Sequence, residues 1–157
     1  MEYSKLGSSG LKVSRVCLGT MTWGSQNNQR EASEQIDYAL AQGINFIDTA
    51  EMYSVPPKAE TYGKTEKMIG NWLAANSSKR SEIILASKVA GNGIPWIREG
   101  GDITGESIIQ SVDASLKRLQ TDYIDLYQLH WPNRTSPHFA KHMPGRIRFT
   151  DVHTQAH

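Results

Sequence analysis

Four short apolar runs alternate with stretches of helical periodicity along this chain, and that alternation constrains the fold more than any single residue. The runs are Val16–Gly19, Ile44–Asp48, Glu82–Lys88 and Tyr123–His130. They are short and nearly continuous, as expected of strands buried on both faces. Between the first two, Asn28 and Glu31 form a helix-start pair, Ile36, Ala39 and Leu40 repeat at helical spacing, and Gly43 closes the segment. Met68, Ile69, Trp72 and Leu73 mark a second helix that fades by Asn76. Thr104 reads as the N-cap of a third, with Ile108, Val112, Leu116 and Leu119 along one face. The order βαβαβαβ predicts an α/β fold of four parallel strands and three helices, joined by right-handed crossovers.

Outside that core, Gly7 and Gly10 break residues 1–15 into short patches that predict a small hairpin. Pro56 and Pro57 forbid helix in the loop after the second strand. Trp131 and Pro132 end the fourth strand, and residues 133–157 show no period, so a folded unit over 1–132 and an irregular tail over 133–157 are expected.

A length of 157 residues suits one ordinary domain with its own core. A net charge of +1 gives no field for nucleic acid or an anionic membrane. No apolar run reaches the length of a membrane span, and the N-terminus lacks the apolar core of a secretory signal. A cytoplasmic protein without nucleic-acid or membrane partners is therefore expected. The single cysteine, Cys17, lies in an apolar run and reads as a small buried hydrophobe.

Parallel strands place their carboxyl ends on one face, where function gathers in α/β folds. Asp48, Lys88 and His130 end three of the four strands, and Tyr53 lies in the loop after the second. Together they suit proton delivery to a carbonyl oxygen. A tyrosine ionises near pH 10, and a neighbouring ammonium, Lys88, is expected to lower that value. Asp48 would hold Lys88 in place as counter-charge, and His130 would donate a hydrogen bond to the same oxygen. No side chain supplies a hydride, so a nicotinamide is required.

Other signals point elsewhere or nowhere. Gly91 and Gly93 lack the third glycine of a dinucleotide fingerprint, Trp96 standing in its place. His138, His142, His153 and His157 lie in the tail without cysteines, and no metal site is expected. Asp125 reads as a structural hydrogen-bond acceptor.

Four blocks resemble the aldo-keto reductases: Gly19-Thr-Met-Thr-Trp-Gly24, Asn45-Phe-Ile-Asp-Thr-Ala-Glu-Met-Tyr53, Ser87-Lys88, and Asp122-Tyr-Ile-Asp-Leu-Tyr-Gln-Leu-His-Trp-Pro132. Tyr53-Ser-Val-Pro-Pro-Lys-Ala-Glu-Thr61 and Gly70-Asn-Trp-Leu73 resemble the Tas-type bacterial branch. The resemblance covers the family's N-terminal half. It implies the first four strands of a (β/α)8 TIM barrel and an NADP(H)-dependent reductase of small aldehydes or ketones. By position, Tyr53 matches the family's proton donor, and Asp48, Lys88 and His130 match its supporting residues. The resemblance further implies cofactor contacts from Gly19, Thr20, Met21, Gln26 and Asp48. It places Trp23 and Trp131 at the substrate pocket, with plain packing the other reading of each tryptophan.

A full barrel of this kind needs about 250 residues. The family's fifth to eighth strands, which stack on the nicotinamide and grip the adenosine phosphate, have no counterpart here. Two functions therefore stand side by side: an oxidoreductase, and a truncated, non-catalytic half-barrel or a subunit that needs a partner half. An open sheet leaves edges and apolar side chains bare, so self-association through the open barrel edge is expected.

Overall fold

The computed structural model of the chain describes residues 1–133. The expected tail, with His138, His142, His153 and His157, lies beyond these residues except for Asn133. Strands β1 (Tyr3–Lys5) and β2 (Lys12–Ser14) form the expected antiparallel hairpin. It closes the amino end of the larger sheet. The Tyr3 hydroxyl donates to the Gly43 carbonyl at 2.7 Å, and the Ser14 N–H donates to Asn45 Oδ1 at 2.7 Å.

The larger sheet contains β3 (Cys17–Gly19), β4 (Phe46–Asp48), β5 (Ile84–Val89) and β6 (Leu126–Leu129), in that spatial order and all parallel. Helices α1 (Gln29–Ala41), α2 (Lys64–Ala75) and α3 (Gly105–Leu119) form the three crossovers. This is the four-strand, three-helix half of a barrel expected from the sequence.

Both sequence-predicted N-caps form. The Glu31 N–H donates to Asn28 Oδ1 at 3.1 Å and the Asn28 N–H to Glu31 Oε2 at 2.9 Å, which satisfies two otherwise orphaned donors. Thr104 and Ser107 cap α3 in the same reciprocal way. Gly43 follows α1 at φ +79°, a backbone state that an L side chain would strain.

Register sorts the side chains of the sheet. Leu18, Ile47 and Leu85 lie side by side on the face covered by helices. There Ile47 and Leu85 pack with Ile36, Met68, Ile69, Trp72 and Leu119. Gly19, Asp48 and Ala86 align on the opposite face. A Cβ on Gly70 would come within 2.1 Å of the Arg118 carbonyl, so glycine is what allows α2 and α3 to approach so closely.

Three expectations are corrected. The buried stripe of α3 is Ser107, Ser111, Ser115 and Leu119, while Ile108, Val112 and Leu116 are only half-buried. The reason is polar company beneath the sheet. Ser111 bonds the Tyr127 hydroxyl at 2.7 Å, and Ser115 accepts from Arg118 at 3.2 Å. Cys17, expected in the core, is exposed on edge strand β3. The fourth strand begins at Leu126 and not at Tyr123, because the Asp125 carboxylate takes the Leu85 N–H at 2.9 Å in place of a ladder bond. The same carboxylate pairs with Arg80 at 2.8 Å, so the expected structural acceptor role for Asp125 holds. Among the described residues no helix is long and apolar enough to cross a membrane.

Candidate functional site

Each group of the sequence-predicted set is carried to one rim by the end of a strand. Asp48 closes β4, Lys88 is the penultimate residue of β5, and His130 follows β6, its N–H donating to the Val89 carbonyl at 2.9 Å. Tyr53 lies in the turn after β4, its N–H bonded to the Ala50 carbonyl at 3.1 Å.

Lys88 Nζ donates to Asp48 Oδ2 at 2.6 Å and to the Thr49 carbonyl at 2.8 Å. It lies 5.2 Å from the centre of the Tyr53 ring. The rings of Tyr53 and His130 meet edge to face with centres 5.5 Å apart. His130 in turn lies 5.0 Å from the Trp131 ring. Carboxylate, ammonium, phenol and imidazole thus converge on one patch of the rim.

The electrostatics correct one expectation. The Tyr53 phenol is held above its ordinary pKa, first by burial and then by the Asp48 carboxylate. The nearby Lys88 ammonium, 5.2 Å from the ring, does not reverse that direction. Tyr53 therefore keeps its proton at neutral pH. Burial, followed by the Lys88 ammonium, pushes the His130 imidazole down to about 4. His130 is neutral at pH 7, with one donor nitrogen and one acceptor.

The loop after β3 supplies the remaining sequence-predicted positions. Gly19 is exposed, stands beside Asp48 in the register, and a Cβ added there would meet no atom within 4 Å. Thr20 is buried, and its hydroxyl donates to the Asp48 carbonyl at 2.8 Å. Met21 is exposed, and its carbonyl accepts the Val55 N–H at 2.7 Å, which ties this loop to the one bearing Tyr53. Gln26 lies exposed in the turn before α1.

The two tryptophans part company. Trp23 is 2% exposed, packs with Ala32, Ile36 and Ile69, and donates to Gln35 Oε1 at 2.9 Å. It belongs to the core between sheet and helices. Trp131 packs at the rim with Tyr53, Met52, Ala90 and Ile97. Its indole lies on Gly91, where a Cβ would come within 2.2 Å of Nε1. That contact accounts for the glycine after β5, which the sequence offers only as a rejected fingerprint.

Glu51 and Arg98 escape a reading by motif. Glu51 is fully buried two residues before Tyr53, and Arg98 grips both its oxygens, at 2.9 and 2.7 Å. The signal available in the sequence is an acid between Ala50 and Met52 in an apolar stretch. Such a position buries a charge, and a buried charge requires a partner.

Comparison with known proteins agrees with this arrangement. The Aldo/keto reductase family model matches residues 15–151. The chain is 51% identical over 144 residues to Protein tas of Escherichia coli, covering 90% of this chain and 41% of that protein. It is 43% identical over 141 residues to the uncharacterized oxidoreductase YrpG of Bacillus subtilis, covering 87% of this chain and 42% of that protein. The chain thus spans about two fifths of the length of these curated relatives. The crystal structure of the thermostable aldo-keto reductase Tm1743, in complex with the inhibitor epalrestat, superposes with a TM-score of 0.67 at 32% identity, over 87% of this chain and 45% of that one. Strand order, rim and sequence agree: the chain belongs to the aldo/keto reductase family.

Proposed function

We propose that this rim reduces the carbonyl group of a small aldehyde or ketone, with NADP(H) as the hydride source and Tyr53 as the proton donor. The observation that carries the proposal is the convergence of Lys88 with Asp48 at 2.6 Å and with the Tyr53 ring at 5.2 Å. A bound nicotinamide would supply the hydride to the carbonyl carbon. Gly19 suits such a group, because nothing occupies the space a side chain would take beside Asp48. The exposed Met21 and Gln26 extend that surface along the same loop, Thr20 fixes the loop to the Asp48 carbonyl, and Trp131 borders the place for substrate. A reducing cytoplasm suits a chain with one cysteine.

The roles follow from the charges. Tyr53 enters the reaction protonated, and its proton passes to the carbonyl oxygen as negative charge develops there. The neutral His130 can donate a hydrogen bond to the same oxygen without adding charge. The Lys88 ammonium, fixed by Asp48 and the Thr49 carbonyl, offsets the phenolate left behind.

Titration of NADPH fluorescence with the purified chain, followed by turnover of an aldehyde, tests this. Tyr53→Phe should bind cofactor and fail to reduce; no fluorescence change at sub-millimolar cofactor would remove the enzyme reading for this polypeptide. We extend the proposal to the sheet edges, where Leu129 on β6 and Val16 beside β3 are 59% and 51% exposed. These residues support self-association, which sedimentation would detect, and a stable monomer would refute it.

A further inference from the structure

We propose that Glu51 and Arg98 form a latch that positions the Tyr53 phenol, making Glu51 a positioning residue for the reaction. The inference rests on the reading of Tyr53 as the acid and goes beyond it, since neither latch residue touches the proposed reacting atoms.

Glu51 bridges the two rim loops in three ways. Its backbone N–H donates to the Lys88 carbonyl at 3.2 Å. Its Oε1 accepts the Ala90 N–H at 2.5 Å, so acid and backbone continue the ladder past the end of β5. Arg98, from the loop after β5, then closes over both oxygens and also donates to the Ala90 carbonyl at 2.9 Å. A bidentate guanidinium fixes the orientation of a carboxylate as well as its charge. Burial alone would raise the Glu51 pKa, but the bonds from Arg98 and Ala90 outweigh it and hold the carboxyl ionised below its ordinary range.

The geometry is held against resistance. Arg98 and Glu99 occupy left-handed backbone states at φ +46° and +57°, which non-glycine residues rarely adopt. Such strain persists where surrounding bonds over-determine it. The only segment between the latch and the phenol is Met52, itself buried at 4% exposure. Displacing Glu51 therefore displaces Tyr53 relative to Lys88.

The test compares the full chain with Glu51→Gln/Arg98→Met, which removes both charges and leaves neither buried alone, and with Arg98→Lys, which keeps the charge but loses the fork. Ultraviolet titration of each, minus the same protein carrying Tyr53→Phe, isolates the Tyr53 phenol. The latch requires the phenol to titrate closer to the ordinary value of about 10 in the double variant and in between for Arg98→Lys. Where NADPH turnover is measurable, kcat should fall about a hundredfold with KM for NADPH unchanged, the effect of misplacing a reacting group by about 1 Å. Lower thermal stability with the wild-type Tyr53 titration and kcat in the folded variants would show a purely structural pair and overturn the inference. Should the double variant not fold, Arg98→Lys decides by the same readout. If Tyr53→Phe itself retains turnover, the acid assignment fails, and the titration still reports whether the latch places the phenol.

Discussion

Among the described residues two carboxylates are fully buried, and each is gripped by an arginine, yet they join different parts of the fold. Glu66 lies beneath the sheet, where it accepts from Ser87 and from Arg118, both at 2.6 Å. Those bonds join β5 to α2 and α3. Glu51 lies past the end of β5, joined to Arg98 and Ala90, two residues from the phenol. The same ion-pair chemistry fastens layers in one place and, as proposed above, aims a side chain in the other. Position along the strand decides which: Ser87 faces the helices, while the residues after Asp48 and Lys88 form the rim.

The largest expected effect falls on the rim. Tyr53→Phe should lower carbonyl reduction by about 10²–10⁴-fold, the range for losing a general acid, with little change in melting temperature. Undiminished turnover would erase the distinction between the two regions. Below the sheet the reverse holds. Arg118→Met strands the Glu66 charge and should cost about 3–5 kcal/mol in urea unfolding, while the Tyr53 phenol titrates as before in the protein that remains folded. A shifted phenol would mean that the two regions are mechanically coupled.

The imidazole gives a smaller, pH-dependent contrast. His130 is pushed from 6.5 down to about 4 in the folded chain. Across that window the unfolded chain takes up a proton that the folded one refuses. Stability from this group is therefore complete above about pH 6.5 and is lost as pH falls through 4, on the order of 3 kcal/mol in all. Urea midpoints measured against pH should lose that component in His130→Gln; an unchanged slope would place the imidazole in a wetter setting. The smallest effect belongs to the helix layer again. Asn28→Ala removes the α1 cap and should cost about 1 kcal/mol without touching NADPH binding.

The rim was legible in the sequence because strand ends can be read from apolar periodicity, and parallel strands must bring their ends together. Asp48, Lys88 and His130 needed nothing more. The hairpin and the caps at Asn28 and Thr104 were legible for a similar reason: their signals are local. The arginine partners were not. Arg98 lies 47 residues from Glu51, and Arg118 lies 52 from Glu66, with no spacing rule to connect them. The serine stripe of α3 misled for the opposite reason. Ile108, Val112 and Leu116 carry a clear apolar period, but the groups beneath the sheet are polar, and hydroxyls satisfy them better. The direction of the Tyr53 shift follows first from burial of the phenol and then from Asp48, and burial in the loop after β4 has no local sequence signal.

The central claim is that one phenol on this rim delivers a proton to a carbonyl reduced by NADPH. The most direct test reads NADPH fluorescence and NADPH oxidation with an aldehyde side by side, for the chain and for Tyr53→Phe. Cofactor binding in both proteins with turnover only in the unsubstituted one is the expected result. Equal turnover in the two, or no binding in either, would contradict it.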